Sequence, residues 1–164
     1  MYIYCKAGEV LTNPRRKARI VALQALYEAD SSRHRPKEVI ARLLEKKPLP
    51  EELATFALSL VDGVVQNRKR IDEIIKQFAP AFPIDQIAVI DRNLLRLAIF
   101  EVLFDNKVPV KAAINEAVEL AKTFGSSSSP KFVNGVLGAV VAHYLSQESR
   151  NLGNTHDDIP AGEA

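Results

Sequence analysis

Apolar residues recur at three- and four-residue spacings through most of residues 14 to 146, and runs alternating apolar with polar are nearly absent. A chain patterned in this way hides its apolar side chains by packing helix on helix, so the expected class is all-α. Proline sets the breaks. Asn13 followed by Pro14 supplies an N-cap and a first helical residue for a helix running to about residue 30. Pro36 opens a second, short helix that stops before Pro48. From Pro50 a third pattern carries Leu53, Phe56, Ala57, Leu60, Val61 and Val64, is expected to break near Asn67, and resumes as "RIDEIIKQFA". The segment "APAFP", with Pro80 and Pro83, is the best internal boundary. Beyond it, helices are expected over roughly residues 84 to 104, 109 to 124 and 130 to 146. The expectation is a single helical domain, residues 13 to 147, of about seven helices. Two small bundles, about 13–80 and 84–147, pack across each other in it. Residues 1 to 12 read as a flexible arm and 148 to 164 as a disordered acidic tail.

Composition narrows the function classes. At 164 residues and 47% apolar content there is room for one core and no second large domain. Cys5 is the only cysteine, and His34, His143 and His156 lie too far apart in sequence for ligand spacing, so neither a metal site nor a disulfide framework is expected. No repeat of fixed period and no Gly-rich phosphate loop is present, and no cofactor is expected. Nothing approaches the roughly 18 uninterrupted apolar residues of a membrane span, so the chain reads as cytoplasmic with no membrane partner. The formal net charge of +2 hides an uneven distribution. Lys6, Arg15, Arg16, Lys17 and Arg19 crowd the front, while Asp157, Asp158 and Glu163 weight the tail.

Arg15, Arg16, Lys17 and Arg19 fall in the first turns of the first helix, where exposed N–H groups already make the field positive. They read either as a solvated basic end or as a phosphate-binding patch whose cations release counterions. On the same helix Ala18, Val21, Ala22, Ala25 and Ala29 form one apolar stripe, and Ile20, Leu23 and Tyr27 a second, for deep burial or for a partner. In "IDQIAVIDRNLLRLAIFEVLF", Asp91 and Glu101 fall inside the apolar arc and need a cation, a backbone donor or an opening. Arg92 and Arg96 fall on the polar side near Asp85, as solvated groups or phosphate contacts.

The stretch "GSSSSPKFVNGVLG" begins like a linker and ends like a helix. Ser129 before Pro130 repeats the cap logic of Asn13 and Pro14. Gly125 is expected as a left-handed C-cap, leaving Ser126 to Ser128 as a tight crossing. Lys131 and Phe132 then sit in an opening turn whose N–H groups suit an anion. Gly135, Gly138, Ala139 and Ala142 share a small-residue face, while Val133, Val136, Val140 and Tyr144 face the core. Phe132 lies at the border, as core or as an aromatic platform for a base.

"INEAVELAKTFGSSSSPKFVNGVLG" resembles the signature of the NusB family of bacterial transcription antitermination factors. "RRKARIVALQALYEAD" resembles that family's basic first helix, and "IDRNLLRLAIFEVLF" followed by "VPVKAAINEAVELAK" its C-terminal half, so the likeness covers about residues 14 to 146. It implies an all-helical fold of two perpendicular halves. It also implies a non-catalytic protein that pairs with NusE, a small-subunit ribosomal protein. The pair would bind single-stranded boxA RNA in nascent ribosomal transcripts and join RNA polymerase with other Nus factors to suppress premature termination. The implied RNA contacts are Arg15, Arg16, Lys17, Arg19, Arg96, Ser128, Lys131, Phe132 and Asn134, and the implied NusE surface includes Tyr27, Asp85 and Asp91.

Two departures from the family pattern stand out. Serines occupy the loop where relatives often carry acidic residues, and the leader "MYIYCKAGEVLT" is longer than the family usually needs. Two other classes compete. One is a helical protein adaptor without RNA contact. The other is a stand-alone relative of the N-terminal domain of ribosomal RNA cytosine methyltransferases, whose catalysis would need a further domain with a Gly-rich cofactor loop. Homodimerisation is left open by the spacing.

Overall fold

The computed structural model describes residues 13–153. Six α-helices follow in order: α1 (Pro14–Ser32), α2 (Pro36–Lys46), α3 (Glu51–Phe78), α4 (Val89–Ile99), α5 (Val110–Phe124) and α6 (Ser129–Gly153). A 3₁₀ turn, Ile84–Gln86, precedes α4, and a π-helical segment, Phe100–Asp105, continues it. No strand occurs among the described residues, in accord with the all-α expectation. Local chemistry sets the ends. Asn13 Oδ1 accepts from the Arg15 N–H at 3.1 Å, capping α1 as expected. Arg33 (φ 58°) closes that helix in the left-handed region, and Asn106 (φ 51°) closes the π segment.

The anticipated break near Asn67 is absent: α3 runs on without interruption, and the Asn67 side-chain amide donates to the Gly63 carbonyl at 2.8 Å. Gly63 itself is required by packing. A Cβ there would lie 2.0 Å from Cζ of Phe100, so the side chain's absence lets α3 close on the end of α4. The long helix expected over residues 84 to 104 also divides. Arg92 donates to the carbonyls of Ile84 (2.9 Å) and Ile87 (3.3 Å), fixing that backbone outside the helix. The last helix extends to Gly153, beyond the expected end near residue 146. The flexible-arm reading of residues 1–12 and the tail reading of 154–164 lie outside the described residues.

Helix α4 is the hub. Residues 91 to 102 are all buried, and α4 packs against α1, α3, α5 and α6. Leu23, Ile40, Leu60, Ile71, Leu94, Ile99 and Leu137 belong to one hydrophobic cluster, so the two halves share a core across the Pro80 to Pro83 turn. The same burial corrects the expectation for Arg92 and Arg96. Neither lies on a polar face: Arg92 is 8% and Arg96 3% exposed. Arg96 donates to Asp72 (2.8 and 3.0 Å) and to Asp30 (2.9 Å), and Arg92 and Asn93 also reach Asp30 Oδ2, at 2.9 and 3.1 Å. Burial pushes the Asp30 carboxyl up, but hydrogen bonds from Arg92 and Asn93 and the charges of Arg96 and Arg92 outweigh it and hold its pKa below the ordinary value. This network fastens α1, α3 and α4 together and leaves Arg96 unavailable to an external phosphate.

Candidate nucleic-acid interface

The basic start of α1 divides into cations with different tasks. Arg15 and Lys17 are exposed. Arg16 donates through Nε and Nη2 to the two carboxylate oxygens of Glu116 on α5, both at 2.9 Å, which pins the first turn of α1 to α5. Arg19, expected in the RNA patch, is instead 2% exposed and forked onto the equally buried Glu101, with Nη2 to Oε1 at 2.7 Å. Its guanidinium lies 5.3 Å from the Phe56 ring centroid, and that of Arg15 lies 5.4 Å from the same centroid. Glu101 thereby finds the ion pair that its place in the apolar arc demanded. The second stripe of α1 is largely absorbed by the core: Leu23 is fully buried and Ile20 packs against the cluster, while Tyr27 is half-buried.

The start of α6 is built differently. Gly125 is extended (φ −89°, ψ −172°) and not left-handed, and its small size is needed because a Cβ would lie 2.5 Å from Ser129 Oγ. Ser129 is buried and its hydroxyl accepts from the Ser126 N–H at 2.9 Å, so it braces the loop in place of capping the helix. The Ser128 carbonyl accepts the Phe132 N–H at 3.1 Å. This fold of the loop leaves Ser128, Lys131 and Asn134 exposed and Phe132 half-buried. Beyond a Cβ built on Gly135 or Gly138 there is open space, so the small face of α6 is turned outward.

Phe132 meets Phe82 edge to face, with centroids 6.0 Å apart and planes at 90°. Together with Gln86, Asp91 and Ser128 they line an open cavity of about 290 Å³. Asp91 is 7% exposed, and its Oδ1 has no hydrogen-bond partner among the described residues. An orphaned acceptor of this kind costs about 1–3 kcal/mol, more when charged. The structure therefore joins Asp91, expected with Tyr27 and Asp85 on a partner surface, to Ser128 and Phe132, expected on the RNA side. Asp85 lies exposed on the neighbouring 3₁₀ turn. Phe82 and Gln86 were not singled out from the sequence, although an aromatic held between Pro80 and Pro83 is a readable signal. Glu116, one hundred residues from Arg16, left no local one.

No helix among the described residues is long and apolar enough to cross a membrane, and no cluster of metal-ligating side chains occurs among them. What they form is a helical hub with exposed cations at the start of α1 and an aromatic-rimmed cavity at the start of α6, the class of a macromolecule-binding protein. The family model described as the NusB family matches residues 16–142. The chain is 53% identical over 130 residues to the transcription antitermination protein NusB of Dehalococcoides mccartyi strain ATCC BAA-2266, covering 79% of this chain and 91% of that protein. It is 46% identical over 143 residues to the NusB of Chloroflexus aggregans, covering 86% and 95%. A crystal structure of the antitermination factors NusB and NusE in complex with dsRNA matches with a TM-score of 0.75 at 30% identity, over 82% of this chain and 100% of that one. The chain belongs to the NusB family.

Proposed function

We propose that this chain is a transcription antitermination factor that acts without catalysis, binding boxA RNA together with a NusE-type ribosomal protein in nascent ribosomal transcripts. The observation that carries the reading is the start of α6. There Lys131 and Asn134 are exposed beside the half-buried ring of Phe132, the combination of cation and stacking face that single-stranded RNA uses. Arg15 and Lys17 add phosphate contacts, with Ser128 at the loop. Arg16 contributes from its clamp on Glu116, whereas Arg19 and Arg96 act only by holding the fold. The likeness to a NusB and NusE structure containing RNA supports both partners. Tyr27, Asp85 and Asp91 form part of the protein-partner surface.

The test is a titration of single-stranded boxA RNA, with and without NusE, against scrambled and double-stranded controls at several salt concentrations. Preferential binding of single-stranded boxA, strengthened by NusE, is expected. Equal affinity for all three RNAs, or none, would overturn the reading in favour of a protein adaptor.

A further inference from the structure

We infer that Glu116 is a positioning residue for RNA recognition: from α5 it holds the Arg16 guanidinium in one orientation, and this fixed cation sets the register in which a strand meets the protein. The inference rests on the RNA-binding reading above and adds a residue that touches no RNA. Helix α1 packs on α2, α3 and α4, and α5 packs on α4 and α6, so α1 and α5 share no broad packed interface. The Arg16 to Glu116 fork bridges them instead, with Nε and Nη2 each 2.9 Å from a carboxylate oxygen. Two parallel bonds fix a planar guanidinium in a way that one contact does not. Glu119, one turn further along α5, is paired with Lys122 at 2.8 Å, so Glu116 is the carboxylate that claims Arg16.

Exposure points to a role in recognition more than in stability. The Glu116 side chain is 13% exposed and that of Arg16 28%, so the carboxylate is the better covered of the two and the cation keeps more of its surface in solvent. A pair this accessible adds little to folding, because water screens it. What it supplies is order, since an arginine already fixed in one rotamer loses less freedom when a phosphate arrives. Glu116 stands eight residues before Phe124, the last residue of α5, a distance of about 12 Å along the helix. One rigid element therefore ties the Arg16 cation to the loop that leads into α6. Phosphate contacts set register and base contacts specify. A fixed Arg16 admits the register that brings the right bases to the protein, whereas a mobile one would neutralise a phosphate in any register.

Fluorescence anisotropy with boxA and scrambled single strands, in the presence of NusE, tests this through the ratio of the two affinities. The ratio does not depend on the fraction of protein folded, so a loss of stability alone leaves it unmoved. Glu116→Gln is expected to cut the preference for boxA about fivefold, the scale of one side chain losing its fixed rotamer. Scrambled RNA should bind as well as before or more tightly, because Arg16 keeps its charge. Arg16→Lys, which preserves the charge but not the fork, should lose a similar share of the preference without a change in the salt slope for boxA. In an Arg16→Ala background, Glu116→Gln should lower the preference no further, because Glu116 acts through Arg16. An unchanged ratio in Glu116→Gln overturns the inference and leaves the RNA reading standing. A further fall in the Arg16→Ala background also overturns it, since Glu116 would then act by another route. A wild type that does not prefer boxA brings down the RNA reading itself and the inference with it.

Discussion

Arg15 and Arg19 stand one turn apart on α1, at nearly equal distances from the same Phe56 ring, yet one is exposed and the other is 2% exposed and paired with Glu101. The helix enters the core within that turn. The difference shows that a run of cations is not one functional unit: its outer members can meet RNA, and its inner member holds α1 to the end of α4. Arg96 repeats the inner role through Asp30 and Asp72, and Lys131 repeats the outer one.

The largest effect that would test this division is Arg19→Ala. Removing one partner of a fully buried pair strands the other, and a loss of about 3–5 kcal/mol in urea unfolding is expected. Arg15→Ala should stay within about 0.5 kcal/mol of wild type. Comparable stabilities for the two variants would erase the distinction. The Asp30 network offers a second test, smaller because the Asp30 side chain keeps 11% exposure. Its pKa is lowered in the fold, so the unfolded chain takes up the proton first as pH falls. The stabilisation is complete above the unfolded value, ordinarily about 3.8, and is lost as pH drops through the folded one. The stability gap between wild type and Asp30→Asn should therefore be open at neutral pH and close in acid. A gap independent of pH would mean that shape, and not charge, holds the three helices.

The outer cations should show the reverse profile. Replacing Arg15 and Lys17 by Ala is expected to leave the unfolding midpoint almost unchanged. It should reduce the salt slope of RNA binding by about 0.7 for each phosphate no longer neutralised. An unchanged slope would return both residues to the role of solubilising charge.

Why the sequence misplaced Arg19 and Arg96 is a matter of range. Proline and cap signals act within a few residues, so α1, α2 and α5 begin where Asn13, Pro36 and Pro109 indicate. Arg19 finds Glu101 82 residues away, and Arg96 finds Asp30 66 residues away. Nothing local distinguishes either from a surface cation. The divided helix before Val89 has the same origin, because it depends on a buried guanidinium gathering two loop carbonyls. Even Gly125 is necessary for a reason other than the expected one: the constraint is the neighbouring Ser129 side chain and not its own φ.

The smallest effect concerns the neutral loop before α6. Ser128 is exposed, and its carbonyl accepts the first-turn N–H of Phe132. A carboxylate introduced by Ser128→Asp would sit at the positive end of α6 and should stabilise the fold by about 0.3–1 kcal/mol. The same charge would face any phosphate drawn to Lys131. At solvent dielectric that repulsion is about 1 kcal/mol or less, roughly a fivefold loss of RNA affinity at most, and it should fade as salt is raised. Stability and binding thus move in opposite directions, which no general loosening of the loop would produce. Unchanged or tighter binding in a salt-controlled titration would mean that RNA does not pass the serine loop.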